Sequence, residues 1–356
     1  MSQRTFSAAL AALALLAPAV APAAEFRDVL DTPATASALA PMGLLNGLAR
    51  AGKRVVAVGQ RGHVVYSDDA GRSWVQAKVP VSADLVAVSF PTPDQGWAVG
   101  HDGVVLHSAD GGATWMRQLD GRSAGQAMVT YYTAEAAKGA LGSPEQAAKL
   151  VEEAKRFAEQ GPENPFLDVW FQDERTGFVV GVFNLIFRTN DGGKTWEPWF
   201  HRTDNPKTLH MYAIRPAGGE LYIVGEQGLL LKLDPQASRF RALESPYKGT
   251  LFGVTGSAKS VLVFGLRGNA YRSTDGGKSW QKIETGLQVG LTGGATDAGR
   301  IMLVSQAGHV LVSADDGATF RPVKIERPTP GAAVVGADQD VAVIAGPRGV
   351  RALPLN

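Results

Sequence analysis

The sequence predicts an all-β fold, a seven-bladed β-propeller with one helical insertion between blades 2 and 3, and three observations predict it. A hairpin motif occurs five times, a strand-turn-strand signature occurs seven times at a spacing of about 40 residues, and one interval is about twice that length. The 356-residue chain is 45% hydrophobic and 19% charged, enough apolar material for a large core, while 42 Gly and 20 Pro favour tight turns over long helices.

The first element is a leader. Arg4 precedes an apolar stretch from Phe6 to Val20, and Ala21, Pro22 and Ala23 supply the small residues of a processing site, so residues 1–24 are predicted to be a cleaved signal peptide. Pro18 and Pro22 interrupt the run short of the ~20 apolar residues that a membrane-spanning helix needs. No cysteine is present, so neither a disulfide nor a cysteine-linked lipid can form in this sequence. Export to a periplasm in soluble form is expected. Lys+Arg number 35 against 34 Asp+Glu, and loss of Arg4 leaves the rest balanced. Without a basic surplus or a Lys/Arg run, binding to DNA or other nucleic acid is set aside.

Residues 25–356 are expected to form one domain and a monomer. Each unit reads as an apolar strand, a turn of the form G-x-x-G and a second strand, beginning with Val55–Gly59 and Gly62–Tyr66. Its counterparts turn at Gly100 to Gly103, Gly181 to Asn184, Gly225 to Gly228, Gly265 to Gly268, Ser305 to Gly308 and Gly346 to Gly349. Four short strands per unit, repeated radially, make a propeller. The seventh unit runs out at Asn356 before a fourth strand, so residues 25–30 are expected to complete the last blade and remove its open edge.

The segments 67–74, 108–115, 189–196, 273–280 and 313–320 all fit S/T-x-D-x-G-x-S/T-W/F, the Asp-box or BNR repeat. An Asp carboxylate accepts N–H bonds inside its own turn, Gly supplies a positive φ, and the aromatic starts the next strand. Asp69, Asp110, Asp191, Asp275 and Asp315, with Trp74, Trp115, Trp196, Trp280 and Phe320, therefore read as structural, because a residue present in every unit serves what the units share. Two units lack the box: the fourth continues as Lys232-Leu-Asp-Pro and the seventh ends.

The insertion spans about 121–165. Ser143 as N-cap, Pro144 in the first turn, Gln146 at the capping-box position and Gly161 as a stop predict a helix over 144–160, and Ala134 to Ala140 is a weaker candidate after Tyr131 and Tyr132. Blade-to-blade links share a face with the turns between second and third strands, so the insertion lies on the G-x-x-G side and the Asp-boxes on the other. The tips of those turns vary, and loop tips on a rigid scaffold carry binding residues. Arg61, Arg267 and Arg348 suggest a partial ring suited to carboxylates; His101, Asp102, Glu226, Gln227, Tyr131 and Tyr132 join them as partner-binding candidates. No histidine pair has metal-ligand spacing, so neither a metal nor a cofactor is expected.

Gly96-Trp-Ala-Val-Gly100, Gly103-Val-Val-Leu-His-Ser108 and Ser273-Thr-Asp-Gly-Gly-Lys-Ser-Trp280 resemble the photosystem II assembly and stability factor family across essentially the whole chain after the leader. The resemblance implies a seven-bladed propeller, exported, that holds a membrane-protein intermediate through an arginine-bearing face, with Arg61, Arg267 and Arg348 in that part. The insertion departs from the family pattern, which points to a non-photosynthetic relative and a partner such as another membrane protein or a transporter component, met through an acidic segment. The alternative is a sialidase-like or other glycan-active hydrolase using the tip acids Asp102 and Glu226, but a Phe-Arg-Ile-Pro signature is absent, and the reading is therefore not an enzyme.

Overall fold

Short apolar runs bounded by glycine make strands, and hairpins join them in chain order. The computed structural model describes residues 27–355. These form seven antiparallel sheets, six of four strands and one of three, and two α-helices. The predicted signal peptide lies outside the described residues. Within a sheet, sequence order is spatial order: Leu45–Ala51, Arg54–Gly59, Val64–Ser67 and Val75–Gln76 make the first. The inner strands of successive sheets pack side by side, and Leu45–Ala51 also meets Ala333–Asp338 of the last sheet, so the sheets close into a ring.

The second strand of each sheet is covered on both sides, which is why Val55–Val58, Val261–Phe264 and Ile301–Val304 are continuous apolar runs with no polar alternation. The core lies between sheets. Trp97 of the second sheet stacks on Phe171 of the third at 3.6 Å between ring centres, and Phe178 of the third meets Phe240 of the fourth edge to face at 5.5 Å.

The expected closing segment behaves differently. Glu25 and Phe26 lie outside the described residues, and from Arg27 onward the chain follows the first sheet, not the last. The Val29 carbonyl accepts from Ser82 N, Ala34 N donates to the Val79 carbonyl, and Leu30 is buried among Val79, Val81 and Trp115. Gln76 then clamps the segment, its Oε1 accepting from Ser37 N and its Nε2 donating to the Thr35 carbonyl. The amino-terminal segment still helps to close the ring, but as a link. Pro41 packs against Gly349 of the last sheet, so close that a Cβ there would lie 2.0 Å from its carbonyl oxygen. The last sheet keeps three strands, Ala333–Asp338, Val341–Gly346 and Gly349–Pro354.

Between the second and third sheets stand α1 (Gly121–Ala137) and α2 (Pro144–Gln160). The second has the boundaries its capping signals predict, with Ser143 and Gln146 exchanging a capping box. The first starts thirteen residues before the weak candidate at Ala134. Its own capping box, Asp120 with Ser123, has Gly121 within it and Gly125 after it, which disguise a helix start as a loop. Gly125 is there for fit, because a Cβ would lie 2.8 Å from the Ala158 backbone of α2.

Candidate functional site

The two ends of the sheets carry different turns. At one end each Asp-box carboxylate is used up by its own hairpin. Asp275 Oδ2 accepts from the Ser279 hydroxyl at 2.5 Å, while Oδ1 accepts from Ser279 N at 3.0 Å and the Ser273 hydroxyl at 2.8 Å; the same pattern recurs at Asp69, Asp110, Asp191 and Asp315. Hydrogen bonds from Thr319 and Ser313 lower Asp315 to about 2, and those from the matching hydroxyls hold Asp69 and Asp275 well below the usual carboxylate range. Burial alone would raise Asp110 and Asp191, but their turn bonds overcome it. In the fourth unit, which lacks the box, Asp234 still closes a turn by accepting from Gln236 N and Ala237 N.

At the other end the turn is built by fit. Where the first glycine stands, a Cβ would meet the backbone carbonyl that begins the same sheet, 2.1 Å from Leu44 O at Gly59 and 2.0 Å from His210 O at Gly225. The second glycine meets the link to the next sheet, 2.1 Å from Val81 O at Gly62 and 2.2 Å from Leu287 O at Gly268. Between them stands a left-handed residue that is not glycine: Arg61, Asp102, Phe183, Gln227 and Arg267, with φ from 50° to 59°. Such a backbone costs about 1–2 kcal/mol for an L-residue; it recurs in five units at this end, and at the Asp-box end at Ala70 and Asp316.

Arg61, Arg267 and Arg348 are exposed, and among the described residues none makes a side-chain ion pair. Arg348 belongs to a different turn, a two-residue hairpin closed by Gly346 opposite Gly349, and its φ is not positive. The arginines of the first and fifth sheets are thus equivalent, and that of the seventh is not. Gln227 and His101 are exposed; Asp102 is half-buried, which raises its carboxyl. Glu226 accepts from His210 N at 2.9 Å. Asp102 has His101, Asp28 and Asp84 as charged neighbours, so the two tip acids do not share a site. Among the described residues no group of three or more His, Cys, Asp or Glu gathers to hold a metal.

Tyr131 and Tyr132 turn toward the third sheet. Tyr132 is fully buried, its hydroxyl 3.3 Å from His201 Nδ1, and Tyr131 donates to Glu197 Oε1 at 3.0 Å. They pin α1 to the outer strand of the third sheet, since an amphipathic helix must bury its aromatic face against something. Burial raises Tyr131 to about 12 and, with the charges of Arg202 and Arg239, lowers His201 to about 4. The insertion does lie at the G-x-x-G end, because Gly121 packs against the Asp102–Gly103 turn.

Two further features are not singled out by the repeat. Phe183, 58% exposed at the tip in the third sheet, meets His210 edge to face at 4.6 Å and donates its N–H to His210 Nδ1 at 2.9 Å. Tyr212 and Phe252 continue this aromatic rim, and Leu266 is exposed beside Arg267. An aromatic at a tip where other units carry polar residues is the signal that marks it. Inside the ring, a channel of about 770 Å³ is lined by inner-strand residues, among them Tyr212, Phe252, Thr255 and Thr296. Asp168 is buried in its wall, accepting from Arg215 and Ile214 N; burial raises its carboxyl and the Arg215 charge opposes that.

The sequence matches the family described as photosynthesis system II assembly factor YCF48 over residues 23–107, 72–139 and 151–287, together more than half the chain. Photosystem II assembly lipoprotein Ycf48 of Synechococcus sp. (strain CC9902) is 31% identical over 125 residues, 34% of this chain and 37% of that protein. The protein of that name from Prochlorococcus marinus is 29% identical over 161 residues, 43% of this chain and 46% of its own length. The matches span less than half of these curated relatives. Among solved structures, YCF48 bound to D1 peptide is similar at TM-score 0.63 and 16% identity, covering 89% of this chain and 94% of that one. YCF48 from Cyanidioschyzon merolae gives 0.60 at 15% identity, covering 90% and 97%, and the WD40 β-propeller domain of Doa1 gives 0.60 at 8%, covering 91% and 95%. At these identities the likeness shows the fold alone, that of a β-propeller.

Proposed function

The chain belongs to the photosystem II assembly factor family of YCF48, and on that premise we propose that it is a periplasmic, seven-bladed scaffold that binds a segment of a membrane protein or transporter component during assembly. The observation that carries this reading is the G-x-x-G end, where left-handed tips lift Arg61, Phe183 and Arg267 clear of a rigid ring. Arginine forks suit carboxylates bidentately, and the aromatic rim of Phe183, His210 and Tyr212 suits an apolar side chain, so an extended acidic segment with apolar residues fits both. A structure of YCF48 bound to a D1 peptide favours a peptide ligand here as well. No helix among the described residues is long and apolar enough to cross a membrane. No reaction is assigned, because the tip acids stand apart and the Asp-box carboxylates are spent on their own turns.

Periplasmic crosslinking in the source organism tests the reading. A membrane protein recovered with the unmodified chain should be lost when Arg61, Arg267 and Arg348 are all changed to Glu, with the melting temperature unchanged. Recovery of the same protein by both chains would remove the arginines from the site.

A further inference from the structure

Side chains of one sheet secure the Asp-box of the next. Arg54 Nη1 donates to the Gly111 carbonyl at 3.2 Å, Gln118 Nε2 to that of Gly192 at 2.8 Å, Lys232 Nζ to that of Gly276 at 3.3 Å and Arg272 Nε to that of Asp316 at 2.8 Å. Lys232 and Arg272 act from the third strand of their sheets, opposite Tyr222 and Leu262, and Arg188 holds the same place opposite Phe178 in the third sheet. The fourth unit, which would receive Arg188, has no box. The turn that replaces it gives the Ser238 carbonyl to Arg202 Nη1 at 3.4 Å instead. Arg188 is in no ion pair among the described residues, and its Nε is buried without an acceptor.

Three more donors around it share that condition. Trp199 is 2% exposed, and its indole N–H has no acceptor; nor have the buried Nε–H groups of Arg202 and Arg239. Arg188 and Arg202 lie over the Trp199 ring, 5.0 and 5.1 Å from its centre, and Phe240, next to Arg239, packs on the same ring at 6.5 Å. Buried N–H groups without acceptors are rare, and several around one indole call for an acceptor from outside the chain. The three arginines are partly exposed, so a ligand can reach them.

Charge decides which acceptor. Arg202 stands 3.9 Å from Glu197 and Arg239 2.7 Å from Asp204, so two carboxylates meet three cations and Arg188 is the surplus. Burial and the charge of Arg202 lower Arg188, with Glu197 opposing them, as expected of a cation short of a counter-charge. One negative charge on an acceptor-only group balances the cluster, and a guanidinium fork holds a carboxylate by two bonds.

We infer that the junction of the third and fourth sheets, at the Asp-box end, is a carboxylate-binding site in which Arg188 grips the ligand and Trp199 and Arg202 flank it. The site exists because the fourth unit lost its box, and it shares no residue with the turn tips at the other end of the sheets.

Nuclear magnetic resonance of the full chain with isotope-labelled arginine tests it. Propionate should shift the Nε–H signals of Arg188 and Arg202 saturably, with a dissociation constant on the order of 1 mM, while propionamide, which lacks the charge, should not. Arg188→Lys keeps the charge but not the fork and should weaken propionate about tenfold. Glu197→Gln removes the competing carboxylate and should tighten it about threefold. Should Arg188→Lys fail to fold, Glu197→Gln carries the test alone, because only a site beside that carboxylate gains from its loss. A capped Gly-Asp-Gly peptide that binds more tightly than propionate would place the carboxylate on a polypeptide, and equal binding would place it on a free small acid. No saturable shift, an equal response to propionamide or chloride, or unchanged binding in either variant would overturn the proposal.

Discussion

Each sheet is joined by turns at both ends, and the two ends solve the same backbone problem by opposite means. At the Asp-box end a side chain does it: a carboxylate collects a hydroxyl two residues before it and N–H and hydroxyl donors three and four residues after it, and the unit's motif is repeated nearly unchanged. At the G-x-x-G end the absence of a side chain does it, since the glycines let backbone lie against backbone and the residue between them is left to vary. A turn that satisfies itself with its own side chains has nothing to offer a partner. One that closes on glycine leaves its tip side chain free, and this is where the family's ligand-facing surface is placed in our reading.

Acid separates the ends most widely. A carboxyl held below its ordinary value stabilises the fold above the unfolded value, 3.8, and that contribution is lost as pH falls toward the folded value, about 2 for Asp315. Five Asp-boxes lose it together, so the melting temperature should fall steeply below about pH 4. His201 acts earlier: buried neutral and lowered from 6.5 to about 4, it is uncharged in both states above 6.5 and opposes folding progressively as pH falls between those values. Near-ultraviolet signals from Tyr131 and Tyr132 should therefore change before the β-sheet signal does. Coincident changes by both probes would mean that the helices and the ring unfold as one unit.

Gly225→Ala probes the other end. The new methyl would lie 2.0 Å from the His210 carbonyl oxygen, a backbone atom that cannot step aside without moving an inner strand. A loss of about 2–3 kcal/mol is expected, read as a lower urea midpoint at unchanged slope. Tolerance of that methyl would show that the turn is not closed by fit and would dissolve the contrast.

The repeat makes most of the fold legible, because Asp-boxes and paired turn glycines are local devices whose residues are near neighbours in sequence. What is not legible depends on distant partners. Residues 27–30 carry no signal for which sheet they meet; the choice falls to Gln76 and to the apolar slot that takes Leu30. Tyr131 and Tyr132 read as free because Glu197 and His201, 66 and 69 residues on, are not visible from their own segment. The pairing of Phe183 with His210 and of Asp168 with Arg215 likewise joins neighbouring sheets across 27 and 47 residues, outside any period. Arg61 and Arg267 are legible from the turn alone, whereas Arg348 shares their glycine spacing without sharing their turn, which the sequence pattern does not distinguish.

The smallest effect cuts most finely between the two ends. Arg267 holds φ 59° and ψ 29°, a backbone that asparagine adopts more readily than arginine, and its guanidinium is in no ion pair among the described residues. Arg267→Asn should therefore raise stability by about 0.5 kcal/mol while weakening capture of the partner segment. The matching exchange at the other end, Asp110→Asn, should only lower stability, because the second oxygen that accepts from the Thr114 hydroxyl at 2.6 Å is replaced by a donor. An arginine whose replacement raises stability and weakens capture serves contact and not the scaffold, and melting curves of both variants beside their crosslinking yields would show it. Loss of stability in Arg267→Asn would instead make the arginine part of the scaffold, and the two ends would no longer differ in kind.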